Sequence, residues 1–163
     1  MSVIQVLTNI PCAKFIDICN ALKISFLSFN KTAFYHTIHI LYILKTNNPD
    51  LIVLAGFLWK FPEQILNQFK NKVINIHPAL LPKYGGKGMY GIHVHDAIVA
   101  NKESESGITI HYVNENYDEG AIIFQKKFEV LVCDTAEDVA AKIHTLEQKN
   151  FPKVIEQIIL KNG

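Results

Sequence analysis

Two short apolar runs, LIVLAG at 51–56 and VINIH at 73–77, are separated by one segment with helical spacing at 62–69. The first run is continuously apolar, which is typical of a parallel strand buried on both faces. A strand, a helix and a second strand in this order predict a parallel pair with a helical crossover. The chain is therefore predicted to be an α/β protein with a mostly parallel sheet.

The same alternation extends to both sides of these runs. Further strands are predicted at 3–9, 24–29, 107–113 and 121–130, and further helices at 13–22, 32–47 and 92–101. The loop between the last two strands, NENYDEG, is too short for a helical crossover, so these strands should form an antiparallel C-terminal hairpin. A capping signature at Asp134 or Thr135 begins a late helix, and Pro152 is predicted to open a separate final helix at 152–160.

Composition limits the classes of function. A length of 163 residues predicts one domain, 1–163, and a net charge of +1 with no arginine gives no electrostatic attraction to nucleic acid or to a membrane surface. No apolar stretch reaches membrane-spanning length, and the N-terminus lacks the basic region of a signal peptide. Three cysteines, Cys12, Cys19 and Cys133, lack metal-binding spacing and are predicted to be buried thiols of a cytoplasmic protein.

Four polar residues are candidates for catalytic roles. Asn75 and His77 lie two residues apart at the end of a predicted strand and so share one face, at the edge where α/β sheets hold ligands. His111 lies on a later strand, and Asp118 lies in the acidic loop after it. An imidazole can move protons near neutral pH, an amide can stabilise an oxyanion, and a carboxylate can hold an imidazolium. The set suits acyl transfer without a covalent intermediate.

Each motif has a plainer interpretation. A histidine at a strand end is often only a hydrogen-bonded structural residue. His93, His95 and Asp96 could suggest a metal site, but side chains two apart on a helix diverge, so no metal is predicted. The glycine-rich GGKG at 85–88 could bind phosphate, although it lacks the Walker spacing.

Three separated blocks of sequence carry a family resemblance. The segments NIHPALLPKYGGKGMYGIHVHDA, SGITIHYVNENYDEGAIIFQ and LEQKNFP resemble glycinamide ribonucleotide formyltransferases, which use 10-formyltetrahydrofolate as co-substrate. The similarity runs through nearly the whole chain. It implies a Rossmann-like formyltransferase fold and formyl transfer to the amine of glycinamide ribonucleotide in purine synthesis.

The resemblance also implies roles for single residues. Asn75, His77 and Asp118 match the catalytic positions of the family, and His111 matches a supporting histidine. Pro78 and Glu147 match positions that touch the nucleotide, with Glu147 on the ribose hydroxyls. The matches to the folate pocket are Leu54, Gly56, Phe57, Leu58, Asn114, Glu115, Asn116 and Tyr117.

The chain departs from the family pattern at its start. Family members begin with a strand, a phosphate-binding glycine loop and a helix, and the first strand here matches their second. The chain is therefore expected to be N-terminally truncated, with impaired activity. The strands at 3–9 and 51–56 are expected either to pair directly or to leave exposed edges open to self-association. The alternatives are a formyltetrahydrofolate hydrolase-like activity and a non-catalytic folate-binding remnant.

Overall fold

The computed structural model describes residues 2–10 and 15–162. The predictions for Pro11, for Cys12 and for the first two residues of the helix at 13–22 lie outside these ranges. The chain divides into two compact units, Met1–Asp50 and Leu51–Gly163. None of the helices that the structure describes is both long enough and apolar enough to cross a membrane.

The described residues of the first unit, 2–10 and 15–50, form one parallel strand pair and three helices. Strand β1 (Val6–Thr8) pairs with β2 (Phe26–Ser28), and helix α1 (Phe15–Ala21) connects them. Instead of the single helix predicted at 32–47, the structure has α2 (Lys31–Tyr35) and α3 (His39–Asn47). Thr37 explains the break, because its hydroxyl donates to the Ala33 carbonyl (2.9 Å) and accepts the His39 N–H (3.3 Å).

In its described part, residues 51–162, the second unit is a four-stranded mixed sheet with its helices. Its elements are β3 (Ile52–Leu54), α4 (Glu63–Gln68), β4 (Val73–His77), α5 (Ile92–Ala100), β5 (Glu105–Tyr112), β6 (Ile122–Glu129) and α6 (Ala136–Asn162). The strand order is β3-β4-β5-β6. The β3–β4 pair is parallel, and both β4–β5 and β5–β6 are antiparallel, so the predicted hairpin is present and the sheet is less parallel than expected.

The strand β3 is more exposed than its apolar sequence indicates. Val53 is 38% exposed, so the prediction that LIVLAG is buried on both faces is wrong. The reason is position, because β3 ends the described four-stranded sheet and has a neighbouring strand only in β4. The direct pairing expected between segments 3–9 and 51–56 is not observed, since β1 and β3 belong to different sheets in the described chain.

The helix α6 is continuous through Pro152, and the prediction of a separate helix beginning there is wrong. Proline costs the helix one backbone hydrogen bond. Buried side chains at helical spacing offset that cost, because Val139, Ile143, Val154 and Ile158 pack into one core on both sides of the proline.

The core of the second unit holds β4 and β5 rigidly. Ile74, Ile108 and Ile110 are fully buried and pack with Val94 of α5 and with the buried stripe of α6. The two central strands therefore present the polar residues at their ends in a fixed arrangement. Of the described cysteines, Cys19 is buried as predicted, whereas Cys133 is exposed because it lies in the turn between β6 and α6, which corrects the prediction for that thiol.

Candidate active site

The antiparallel register of β4 and β5 brings two of the predicted residues together. Asn75 is the direct partner of His111, and His77 is the partner of Thr109. Side chains of paired residues share one face of a sheet, and Asn75 Nδ2 lies 3.3 Å from His111 Nε2. His77 and His111 are both buried, so the core strands place the two imidazoles next to each other with little freedom.

Asp118 reaches this pair from the loop between β5 and β6. Its Oδ2 atom lies 3.6 Å from His77 Nδ1, and its Oδ1 atom lies 3.6 Å from His111 Nε2. Its backbone is in the left-handed region, with φ of 57°. The structure thus brings Asn75, His77, His111 and Asp118 into one group, and their chemical roles stay predictions.

Two glycines allow the close approach of Asp118. A β-carbon on Gly120 would lie 1.7 Å from the Tyr112 carbonyl oxygen, so only glycine lets the loop turn back on β5 at this point. A β-carbon on Gly85 would lie 3.2 Å from the Asp118 β-carbon. The next residue, Gly86, donates its N–H to Asp118 Oδ2 (2.9 Å). The glycine-rich segment, considered above as a phosphate loop, therefore orients the carboxylate.

Backbone carbonyls define which ring nitrogens carry protons. His77 Nε2 lies 2.7 Å from the Tyr84 carbonyl oxygen, and His111 Nδ1 lies 2.9 Å from the Tyr112 carbonyl oxygen. A carbonyl only accepts hydrogen bonds, so both of these nitrogens donate. In the neutral rings, His77 Nδ1 and His111 Nε2 are then unprotonated, and both face Asp118. A proton added to His77 Nδ1 would therefore lie next to the Asp118 carboxylate.

Burial and charge act in opposite directions on this group. Burial lowers the pKa of His77 below its ordinary value, while the charge of Asp118 and the hydrogen bond to Tyr84 oppose that shift. Burial alone would raise the pKa of Asp118, but His111 and His77 in their protonated forms and the Gly86 N–H together hold it below its ordinary value. At neutral pH the site therefore contains an ionised Asp118 carboxylate beside the neutral ring of His77.

The residues predicted to bind folate lie in two segments of different exposure. Leu54 and Phe57 are partly buried, and the Phe57 ring centroid lies 5.9 Å from that of Trp59. Leu58 is 49% exposed. Gly56 is exposed in the loop after β3, and in the β5–β6 loop Asn114 is partly buried while Glu115, Asn116 and Tyr117 are exposed.

The residues predicted to bind the nucleotide lie on different elements. Pro78 directly follows β4 and is partly buried. Glu147 lies on α6, and its carboxylate is 3.6 Å from His144 Nδ1 of the same helix rather than in contact with the Asp118 group. Burial raises the pKa of Glu147, and the nearby His144 opposes the rise.

Three contributions to the site were absent from the sequence-based prediction. They are the carbonyls of Tyr84 and Tyr112 and the N–H of Gly86. Every residue carries a backbone carbonyl and every residue except proline a backbone N–H, so no residue type marks these groups in a sequence. The one available signal was the glycine pair at 85–86, which indicates close approach of the backbone to another group.

His95 is a further buried histidine close to the group. It is 6% exposed, and its Nδ1 atom has no hydrogen-bond partner among the described residues. Its pKa is lowered by burial and by the charge of His77, and Asp96 opposes the shift. His93 on the same helix is exposed, so the two histidines considered above as metal ligands face different environments.

Acidification is expected to destabilise the protein through His77 and His95. Both have folded-state pKa values below the ordinary value of 6.5, so the unfolded state binds more protons and stability falls as the pH drops below about 6.5. The free energy of unfolding, measured in urea, should decrease by about 1–2 kcal/mol between pH 7.5 and 5.5. The variant His95→Leu should flatten this dependence and exposed His93→Gln should not, whereas an unchanged slope in His95→Leu would contradict the assignment.

Comparison with known proteins identifies the family. The formyl transferase family profile matches residues 3–155. The phosphoribosylglycinamide formyltransferase of Bacillus subtilis (strain 168) is 36% identical over an alignment of 159 positions, which covers 94% of this chain and 78% of that protein. A chloroplastic phosphoribosylglycinamide formyltransferase of Vigna unguiculata is 43% identical over 109 residues, which are 67% of this chain but only 35% of the relative's length.

Solved structures agree with the profile. The crystal structure of phosphoribosylglycinamide formyltransferase from Anaplasma phagocytophilum matches with a TM-score of 0.88 and 30% identity, over 98% of this chain and 76% of that one. The profile and the structural match extend across both units and include the segment that carries Asn75, His77 and Asp118. The chain therefore belongs to the formyl transferase family.

Proposed function

We propose that this protein transfers the formyl group of 10-formyltetrahydrofolate to the amine of glycinamide ribonucleotide. The observation that carries the proposal is the convergence of Asn75, His77 and Asp118 at the end of β4, with Asp118 3.6 Å from the His77 ring. The relatives from Bacillus subtilis and Vigna unguiculata, which bear the name phosphoribosylglycinamide formyltransferase, support the choice of substrate.

In this proposal His77 and Asp118 move the proton that the attacking amine must lose. His77 Nδ1 is unprotonated and faces Asp118 Oδ2, so a proton arriving there forms an imidazolium beside a carboxylate. Their separation of 3.6 Å becomes a hydrogen bond after a movement of less than about 1 Å. The Asp118 side chain is 12% exposed, so it can pass this proton from the amine, directly or through a water, and return it to the folate nitrogen when the bond between that nitrogen and the formyl carbon breaks.

In this proposal Asn75 stabilises the negative charge that develops on the formyl oxygen. An amide nitrogen carries two hydrogens, and His111 Nε2 accepts one of them from Asn75 Nδ2. His111 is itself fixed by its bond to the Tyr112 carbonyl, so it holds the amide with its nitrogen directed into the site. The second N–H remains for the oxyanion, where one preorganised donor contributes about 10²–10³ in rate.

The flat ring of the folate is assigned to the segments 54–58 and 114–117. Such a ring needs apolar surface with a few polar groups at its edge. Leu58 provides exposed apolar surface, and the loop after β5 offers the polar side chains of Asn114, Glu115 and Asn116 close to Asp118 in the sequence. Asn116 stiffens that loop, because its N–H donates to Asn114 Oδ1 and its amide donates to Glu119. The residue types present therefore fit a pterin.

Two single variants should separate the two substrate sites. Glu147→Ala should weaken binding of glycinamide ribonucleotide by about 1.5–3 kcal/mol through lost charged hydrogen bonds and leave folate binding unchanged. Leu58→Asp should weaken binding of a folate analogue by about 1–2 kcal/mol and leave binding of glycinamide ribonucleotide unchanged. Calorimetry with each ligand measures both effects, and each variant is the control for the other. Equal losses for both ligands in either variant would mean a structural effect.

Formyl release from 10-formyltetrahydrofolate tests the function directly. The rate should depend on added glycinamide ribonucleotide, and the formylated amine should be the product. Formyl loss at the same rate without the nucleotide would instead indicate hydrolysis, in which water replaces the amine. Folate binding without turnover under either condition would indicate a non-catalytic binding protein.

A further inference from the structure

Tyr84 links the loop after β4 to the ring of His77 through its backbone. Its carbonyl oxygen accepts the His77 Nε2–H at 2.7 Å. Its φ angle is 57°, in the left-handed region that residues with a β-carbon adopt infrequently. A non-glycine residue keeps such a conformation only when its surroundings hold it there. The side chain of Tyr84 shows what holds it.

The phenol of Tyr84 is anchored to the C-terminal end of α5. Its hydroxyl donates to Glu103 Oε1 (2.9 Å) and accepts from Asn101 Nδ2 (3.0 Å). Lys83 Nζ lies 3.1 Å from each carboxylate oxygen of Glu103. The Glu103 N–H in turn donates to the carbonyl of Ile98, a residue of the buried core. A continuous set of contacts thus connects the rigid core to the Tyr84 carbonyl.

The same short segment also holds Asp118. Gly86, two residues after Tyr84, donates its N–H to Asp118 Oδ2. The segment 84–86 therefore contacts the imidazole through one backbone group and the carboxylate through another. A displacement of this segment would change the geometry of both partners of the 3.6 Å contact between His77 and Asp118.

We propose that Tyr84, anchored by Glu103 and Asn101, is a positioning residue that holds the His77 proton on Nε2 and so keeps Nδ1 free to accept a proton beside Asp118. This inference rests on the proposed function, because it assigns a use to the free nitrogen. The Tyr84 carbonyl contacts His77 directly. The hydrogen bonds of the phenol hold the left-handed backbone conformation that places this carbonyl. The cluster of Tyr84, Glu103, Asn101 and Lys83 is then part of the proton-transfer apparatus and does more than close a surface loop.

Other charged groups also lie near His77 and contribute to its pKa in the unmodified protein. Asp118 comes from the loop after β5, His111 from β5, and His95 on α5 is close enough for its charge to interact with that of His77. Asp118 and the Tyr84 carbonyl both raise the pKa of His77 against the effect of burial. Loosening segment 84–86 weakens the carbonyl contact to His77 and the Gly86 contact to Asp118. Because the carbonyl and Asp118 both raise the pKa of His77, that pKa should then fall further.

The variant Tyr84→Phe removes the anchor of the phenol and keeps the ring. Nitrogen-15 NMR of the histidine rings in the full chain should show His77 losing its single Nε2–H tautomer and titrating at lower pH. In formyl transfer, kcat should fall about 10-fold with little change in KM, and the acidic limb of the pH profile should move to lower pH. Tyr90→Phe, at an exposed tyrosine of the same loop, should leave all of these quantities unchanged.

Glu103→Gln alters the partner of the Tyr84 hydroxyl instead of Tyr84 itself. It provides a second variant for the same test if Tyr84→Phe fails to fold. Because Glu103 acts through Tyr84, the double variant should be no slower than the slower single variant. Thermal unfolding confirms that each variant is folded. Unchanged His77 tautomer and titration in both folded variants would overturn the inference. If the unmodified protein transfers no formyl group, the proposed function fails, and the NMR comparison still decides whether Tyr84 positions His77.

Discussion

Replacement of His77 by glutamine should lower kcat for formyl transfer by about 10²–10⁴-fold, the range measured for lost general acid–base groups. Glutamine keeps a nitrogen that can donate to the Tyr84 carbonyl, as His77 Nε2 does now. It has no group that can take up a proton at the place of Nδ1, which faces Asp118. The substrate-binding segments are untouched, so KM should change little, and steady-state kinetics measures both parameters.

Two further variants sharpen this test. Asp118→Asn should cause a loss of similar size, and the double variant should be far less impaired than the product of the two losses, because the two residues act as one unit. His93→Gln, at an exposed histidine of α5, serves as the matched control and should be fully active. Activity of His77→Gln within a few-fold of the unmodified protein would show that proton transfer occurs elsewhere.

Replacement of Gly120 by alanine should destabilise the fold and displace Asp118 together. The added β-carbon would lie 1.7 Å from the Tyr112 carbonyl oxygen, so the backbone must move. The free energy of unfolding should fall by about 3 kcal/mol, at the upper end for overpacking. Because a displacement of about 1 Å in a reacting group costs up to 10²-fold, kcat should fall by a comparable factor in protein that remains folded.

Gly88→Ala is the control for this substitution. A β-carbon there meets no atom of the described residues within 4 Å, so the cost is limited to a backbone φ of 92°, which disfavours alanine by about 1–2 kcal/mol. Formyl transfer by Gly88→Ala should be retained. If Gly120→Ala has normal stability in urea and normal kcat, the close packing of the β5–β6 loop is unimportant for the position of Asp118.

The local pattern of the sequence predicted elements well where burial is uniform. The strand at 73–77, the helix at 92–101 and the C-terminal hairpin appear at or near their predicted positions, because period-2 and period-3.6 patterns report which face is buried. Predictions were wrong where one residue outweighs the pattern. The hydroxyl of Thr37 divides a predicted helix, and the packing of Val154 and Ile158 carries α6 through Pro152.

The sequence by itself determined the fold class, the family resemblance and the candidate residues Asn75, His77, His111 and Asp118, because residue type and spacing carry that information. Only the tertiary structure decided their protonation and orientation. The Tyr84 carbonyl assigns the proton of His77 to Nε2, the register places His111 against Asn75, and the Gly86 N–H directs Asp118. Those contacts are made by backbone atoms common to every residue and by chain segments up to 36 positions apart, so no local pattern of side chains can encode them.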